Sequence, residues 1–248
     1  MRAVSGVFAR SSDGVKAAER MVSLFSKDHV NLLTPGPSGE GPEDVPTTED
    51  MPPVGGAMGG VVGGALGVAT AFSIPGIGPV AAFGAAAAAL LGGAVIGWKL
   101  GDAADRASST GLPIDELYVY EDALRQGRTV VIVMVEEKED EELVREVLNY
   151  CGAESLDAAR QRWWAGLRDA EAEHYDGPPA DFPIDENTFR KGFEAALSPW
   201  ARGRTFEEAL DFVRTRHPSE CDKPAYRQGY ERGQAYLAAS ETGLTKVE

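Results

Sequence analysis

Basic residues are scarce in this 248-residue chain: 24 Lys and Arg stand against 39 Asp and Glu, for a net charge of −15. Such a surface repels phosphate backbones, and no basic-aromatic patch compensates, so nucleic acid is not expected as a partner. The same deficit disfavours simple electrostatic docking on anionic lipid, which leaves apolar sequence as the only route to a membrane. Cysteine is nearly absent: Cys151 and Cys221 are the only two, far apart and without CxxC spacing. A reducing cytoplasm suits that pattern better than a disulfide scaffold does. The three histidines, His29, His174 and His217, have no partner at ligand spacing, so neither a metal centre nor a cofactor is expected. The opening residues MRAVSGVFARSSDGVKAAERM lack the apolar core of a signal peptide. The expected location is the cytoplasm, up to the inner face of the cytoplasmic membrane.

Charge of either sign is missing from Met51 to Trp98, and this apolar run is interrupted only by Pro75-Gly76-Ile77-Gly78-Pro79. The pattern predicts a helical hairpin over 54–110, with arms Val54–Ala71 and Val80–Lys99 on either side of that turn. In the first arm Gly55, Gly59, Gly63 and Gly67 recur every four residues, with Gly56, Gly60 and Gly64 in the adjacent row. In the second arm the rows are Gly84-Ala88-Gly92 and Gly93-Gly97-Gly101. A glycine inside a helix costs about 1 kcal/mol relative to alanine, so rows this dense require close backbone approach to offset them. Small-xxx-small spacing supplies that approach, most usefully where water gives helices no drive to pair. Three readings follow: a transmembrane hairpin, a soluble hairpin that packs on itself or its copies in an oligomer core, and a low-complexity tract without fixed structure. The flanks, Glu43, Asp44, Glu49, Asp50, Asp102 and Asp105, are acidic, and only Lys99 and Arg106 serve the positive-inside bias.

Around this insertion the chain reads as a small α+β domain. Ala3–Phe8 is a predicted strand, and the next segment is a helix with Val15, Ala18, Met21, Val22 and Phe25 on its apolar face. His29–Leu33 is a second strand. Pro113–Gln126 forms a helix, Arg128–Val135 (RTVVIVMV) a central strand, Glu136 onward an acid-led helix ending near Gly152, and Ala153–Leu156 a short closing strand. Removing Pro35–Gly127 leaves β-α-β-β-α-β, the ferredoxin-like split βαβ order. The resulting map is a ferredoxin-like domain (1–34 plus 111–156), an acidic proline-rich linker (35–53), the glycine-zipper hairpin (54–110), a helical aromatic module (157–240) and a tail (241–248).

These residues also carry a resemblance. A strand-helix-strand unit, a Gly/Ala-rich hairpin turning at IPGIGPV, then LPIDELYVYEDALRQG and RTVVIVMV, together resemble the bacterial general-stress or heat-induced stress protein family over roughly residues 1–156. The resemblance implies a ferredoxin-like domain with a glycine-rich insertion and a stress association, and it supplies no catalytic residues to carry over.

The C-terminal third repeats a signature: Phe189-Arg190-Lys191-Gly192-Phe193-Glu194 and Tyr226-Arg227-Gln228-Gly229-Tyr230-Glu231. Aromatics at i and i+4 with glycine at i+3 make a helix face both bulky and notched. Two copies packing aromatic on aromatic in a helical bundle are expected, with Phe189, Phe193, Tyr226 and Tyr230 as an interaction surface; a ligand cage is the sharper alternative. Thr205-Phe206-Glu207-Glu208 is a capping box opening another helix. Trp163 and Trp164 stand about 100° apart on theirs, so at least one should find a partner.

Sites for chemistry are few. Gly76–Ala81 fits GxGxxA, but no acid follows at the required distance, and Pro79 removes an N–H from the turn that would cradle pyrophosphate. Gly92–Lys99 is a near miss for a P-loop. Cys221, four residues from His217, is the one candidate for an activated thiolate, and the acids of Glu136–Glu142 read as a solvated helix start. The expectation is a non-enzymatic stress-type protein whose hairpin mediates association with membrane lipid and with copies of itself. Its alternatives are a soluble homo-oligomeric assembly with the hairpins at its core and a membrane-permeabilising hairpin protein.

Overall fold

A computed structural model describes residues 2–35, 69–74, 78–83, 114–178 and 181–242. In chain order the elements are β1 (Arg2–Phe8), α1 (Ser11–Leu24), β2 (Val30–Pro35), β3 (Ala69–Ile74), β4 (Gly78–Phe83), α2 (Leu117–Arg125), β5 (Thr129–Val135), α3 (Lys138–Tyr150), β6 (Glu154–Ser155), α4 (Leu156–Ala172), α5 (Phe182–Leu197), α6 (Leu210–Arg216) and α7 (Pro224–Thr242). They fall into two compact units: Met1–Pro113 with Val119–Ala159, and Ile114–Tyr118 with Arg160–Glu248.

The first unit is an α+β layer structure. Six of the seven residues of β5 are β-branched, a composition that fits a pleated surface covered on both faces, and all seven are buried. β5 therefore takes the centre, pairing antiparallel with β1 on one side and β2 on the other. The sheet order is β3-β4-β2-β5-β1-β6. On one face Val4, Phe8, Leu32, Val131 and Val133 pack against Ala17, Ala18 and Met21 of α1 and Val144 and Leu148 of α3. Close approach there depends on two glycines: a Cβ on Gly14 would lie 2.6 Å from Thr129 Cγ2, and one on Gly6 would lie 2.8 Å from the Ala153 Cβ. On the opposite face the Ser5 hydroxyl hydrogen-bonds the Tyr120 hydroxyl of α2 at 2.7 Å. Gly127 and Gly152, with φ of 74° and 88°, end α2 and α3 in the left-handed region that glycine enters at least cost.

Two expectations change. Ala69–Ala71 and Val80–Phe83, predicted as parts of helical arms, lie in strands β3 and β4, which pair antiparallel with each other. The cause is tertiary. The outer edge of β2 offers unpaired N–H and C=O groups, and β4 satisfies them over Leu32–Pro35. The remainder of the predicted helical hairpin lies outside the described residues. The segment 114–118, assigned by sequence to the sheet domain, belongs to the second unit: there Ser198 donates to Asp115 at 3.0 Å, Arg160 to Glu116 at 2.9 Å, and Tyr118 stacks 4.7 Å from Trp163.

The second unit is all helical. Ser155, in the first unit, caps the first turn of α4 through the Ala158 N–H. In the second, Thr205 and Glu208 exchange the reciprocal bonds of the expected capping box at 2.8 and 3.3 Å, but they close a turn, and the helix expected to open there, α6, begins only at Leu210. Trp163 and Trp164 are both buried and both find partners, Trp163 against Tyr118 and Phe193, Trp164 against Phe189 and Phe193.

Candidate functional site

Two places concentrate what the sequence singled out: the root of the insertion and the seam between α5 and α7. At the root, β4 pairs with β2 in the register Leu32 to Phe83 through Pro35 to Val80, and β3 pairs with β4 from Ala69 opposite Phe83 to Ile74 opposite Gly78. Proline has no N–H, which sets the alternation of the ladder. Pro35 and Pro79 lose no bond if Gly78, Val80 and Ala82 turn their N–H and C=O groups to β3 while Ala81 and Phe83 turn theirs to β2. Thr70, Phe72 and Ile74 then bond inward to β4. Ala69, Ala71 and Ser73 present theirs outward. Every residue of β3 is uncharged, and among the described residues none pairs with its outer side. The other end of the sheet is built differently: β6 is two residues long, and its Glu154 is clamped by Arg128 at 2.5 Å. The glycines predicted to mediate association, Gly55, Gly56, Gly59, Gly60, Gly63, Gly64 and Gly67 before β3 and Gly84, Gly92, Gly93, Gly97 and Gly101 after β4, lie outside the described residues.

At the seam the two repeat copies meet reciprocally. Gly192 faces the Tyr226 carbonyl, and Gly229, at the matching place in the other copy, faces the Phe189 carbonyl; a Cβ at either would overlap backbone. Gly233 extends the contact, where a Cβ would lie 2.6 Å from the Phe193 carbonyl oxygen and 2.7 Å from the Ala196 Cβ. Because the glycine stands a helical step of about 60° from the first aromatic, notch against notch turns the aromatics away from each other. Phe189 and Phe193 join Trp163, Trp164, Tyr175, Phe182 and Tyr236, while Tyr226 and Tyr230 join Phe206 and the His217 ring. All four repeat aromatics are 0 % exposed. They are core, not the interaction surface that their spacing suggested, and the copies pack backbone on backbone, not ring on ring.

Charge closes the rim of this core. Glu186 accepts from the Trp164 indole and from Arg168, each at 2.9 Å; burial pushes its carboxyl up, and those two donors more than offset it, so it sits below the usual glutamate value. Arg232 grips Glu171 through two bonds at 2.8 and 3.0 Å. The Tyr175 phenol, which donates to Asp185, is pushed up to about 12, and burial takes Tyr230 to about 12. The Tyr226 hydroxyl, raised by burial above its ordinary value, has no hydrogen-bond partner among the described residues.

The sequence candidates for chemistry land in ordinary surroundings. Cys221 is buried and its thiol is directed at the Pro218 carbonyl, 3.9 Å away, while the His217 ring lies against Tyr226 at 5.6 Å. Burial lowers the His217 pKa; Lys191 and Arg216 reinforce that, and Glu220 and Glu194 oppose it. His174, two residues past the end of α4, bonds the Ala170 carbonyl of that helix. The GxGxxA stretch runs into β4 rather than opening a helix, so the helix N-terminus that a phosphate cradle requires is not there. Gly92–Lys99 lies outside the described residues, and among the described residues no His/Cys/Asp/Glu group could hold a metal ion. Among them, too, no helix is long and apolar enough to cross a membrane. The pairing edge of β3 escaped sequence reasoning; the two prolines, both compatible with only one ladder alternation, were the signal that could have found it. No family model, curated protein or solved structure matches this chain.

Proposed function

We propose that this chain is a non-enzymatic bacterial stress-type protein that associates with itself and with membrane through its uncharged Gly/Ala insertion. One observation carries the reading. Because Ala69 stands opposite Phe83, the two residues to which the glycine-rich segments are joined, the last described ones on either side, are cross-strand neighbours about 5 Å apart. In the sequence the glycine rows end at Gly67, two residues before Ala69, and resume at Gly84, directly after Phe83, and small-xxx-small spacing is the pattern that serves close pairing of such segments. The order β2-β5-β1-β6, with β5 antiparallel to both β1 and β2, supports the ferredoxin-like assignment, with β3 and β4 as an extension of its edge. The stress association rests on the family resemblance alone. The helical unit, with its aromatics buried, would meet a partner through its charged exterior.

Detergent-free fractionation tests the reading. An oligomer that floats with liposomes is the expected result, and a monomer wholly in the supernatant overturns both halves. Gly59→Leu with Gly63→Leu separates a lipid-bound insertion, which still floats, from a soluble assembly, which dissociates or aggregates. Dye release from liposomes would mark the protein as permeabilising instead.

A further inference from the structure

We propose that the outer edge of β3 is where two copies of this chain meet, antiparallel, across a two-fold axis through Ala71. This rests on the self-association reading and names the partner and the register.

Four observations converge on a second copy. First, the two ends of the sheet are unlike. β6 is two residues long and closed by an ion pair, the short and charged form that discourages edge pairing, whereas β3 runs six residues without a charge or a proline. Second, two chains of net charge −15 repel each other, so their contact must fall where charge is missing, and β3 lies inside the uncharged stretch from Met51 to Trp98. Third, the ladder alternation that suits Pro35 and Pro79 leaves Ala69, Ala71 and Ser73 with outward N–H and C=O groups, evenly spaced about Ala71. A two-fold there sets Ala69 opposite Ser73 of the copy and Ala71 opposite itself, so all three outward residues bond at once. Fourth, antiparallel pairing puts the Ala69–Phe83 pair of one copy and that of the other at opposite ends of the joined sheet, where parallel pairing would bring these two attachment points of the Gly/Ala sequence together.

The test uses the full-length chain in sedimentation velocity, with circular dichroism to follow the fold. Ala71→Lys and Ala71→Glu each set like charges opposite one another at the axis, and each alone should weaken association at least about tenfold. An equal mixture of the two should regain it, because only a two-fold at this residue brings lysine against glutamate. Ala71→Pro acts on the backbone alone: an edge strand tolerates it in the monomer, and it removes an outward N–H from each copy, so it too should weaken association, and it decides the matter if the charged variants lose sheet. Association unchanged in all three variants, or no recovery in the mixture of folded variants, overturns the proposal. If those variants associate normally while Gly59→Leu with Gly63→Leu dissociates, β3 pairing falls and self-association through the glycine rows stands. A monomeric natural chain removes both. A fall in melting temperature in Ala71→Pro without a change of mass would show that the chain's own segments cover the edge, and would also overturn the proposal.

Discussion

The hydroxyl of Tyr226 is buried without a hydrogen-bond partner among the described residues, in a side chain otherwise enclosed by Phe206 and His217. A buried donor left unmatched costs about 1–3 kcal/mol, so Tyr226→Phe, which keeps the ring, is expected to be neutral or to stabilise by about 1 kcal/mol in denaturant titration. The neighbouring His217 makes stability depend on pH. Its folded pKa lies below the unfolded value of 6.5, so the unfolded chain binds the proton more readily. The contribution is therefore present above pH 6.5 and is lost as pH falls through the folded value. Between pH 7 and pH 5 the melting temperature of the natural protein should drop more than that of His217→Gln. Glu220, held below its usual value first by its bond to Lys191, belongs to a lower window: its contribution is present above pH 4.5 and is lost with further acidification.

Among elements, the contrast between glycines is the most direct check on the α5–α7 seam. Gly192→Ala or Gly229→Ala pushes a methyl into main chain that no side-chain rotation can clear, and a loss of about 3 kcal/mol or more is expected. Gly166, on α4, has nothing within 4 Å of its would-be Cβ, so Gly166→Ala should stabilise by about 1 kcal/mol through helix propensity. Most elements were legible because their signals are local. The β-branched run of Thr129–Val135, the apolar face around Ala18 and Met21, and the Thr205–Glu208 capping box each declare themselves within a few residues. β3 and β4 were not legible, because Ala-rich six-residue stretches flanked by glycine rows have helical spacing, and the pairing that makes them strands comes from β2, more than thirty residues upstream of Ala69. The repeat was legible as a repeat, but its aromatics were assigned the contact that its glycines make. Which face of a helix touches its neighbour depends on the tightest approach, and the smallest residue sets that.

For the molecule as a whole, an acid-rich exterior and a charge-free insertion pull against each other. With a net charge of −15, like-charge repulsion opposes any assembly of copies, and salt screens it over about 10 Å at 0.1 M. Self-association should therefore strengthen from 20 mM to 500 mM NaCl in sedimentation velocity. A contact held by ion pairs would weaken instead. Because all four repeat aromatics are buried, association of the full chain should follow changes in the insertion and not conservative changes at Phe189 or Tyr230.

The reciprocity of the α5–α7 seam also constrains how this protein can drift over evolutionary time. An oversized side chain in a core can be rescued by trimming its neighbour, so most packing positions evolve as exchangeable partners. Gly192 and Gly229 have no such partner: what each one faces is the other copy's main chain, present whatever residue is encoded there. A screen for second-site suppressors of Gly192→Ala should therefore recover few or none among the surrounding aromatics. The two repeats differ in their rings, Phe in one and Tyr in the other, and share the glycine whose place neither could give up.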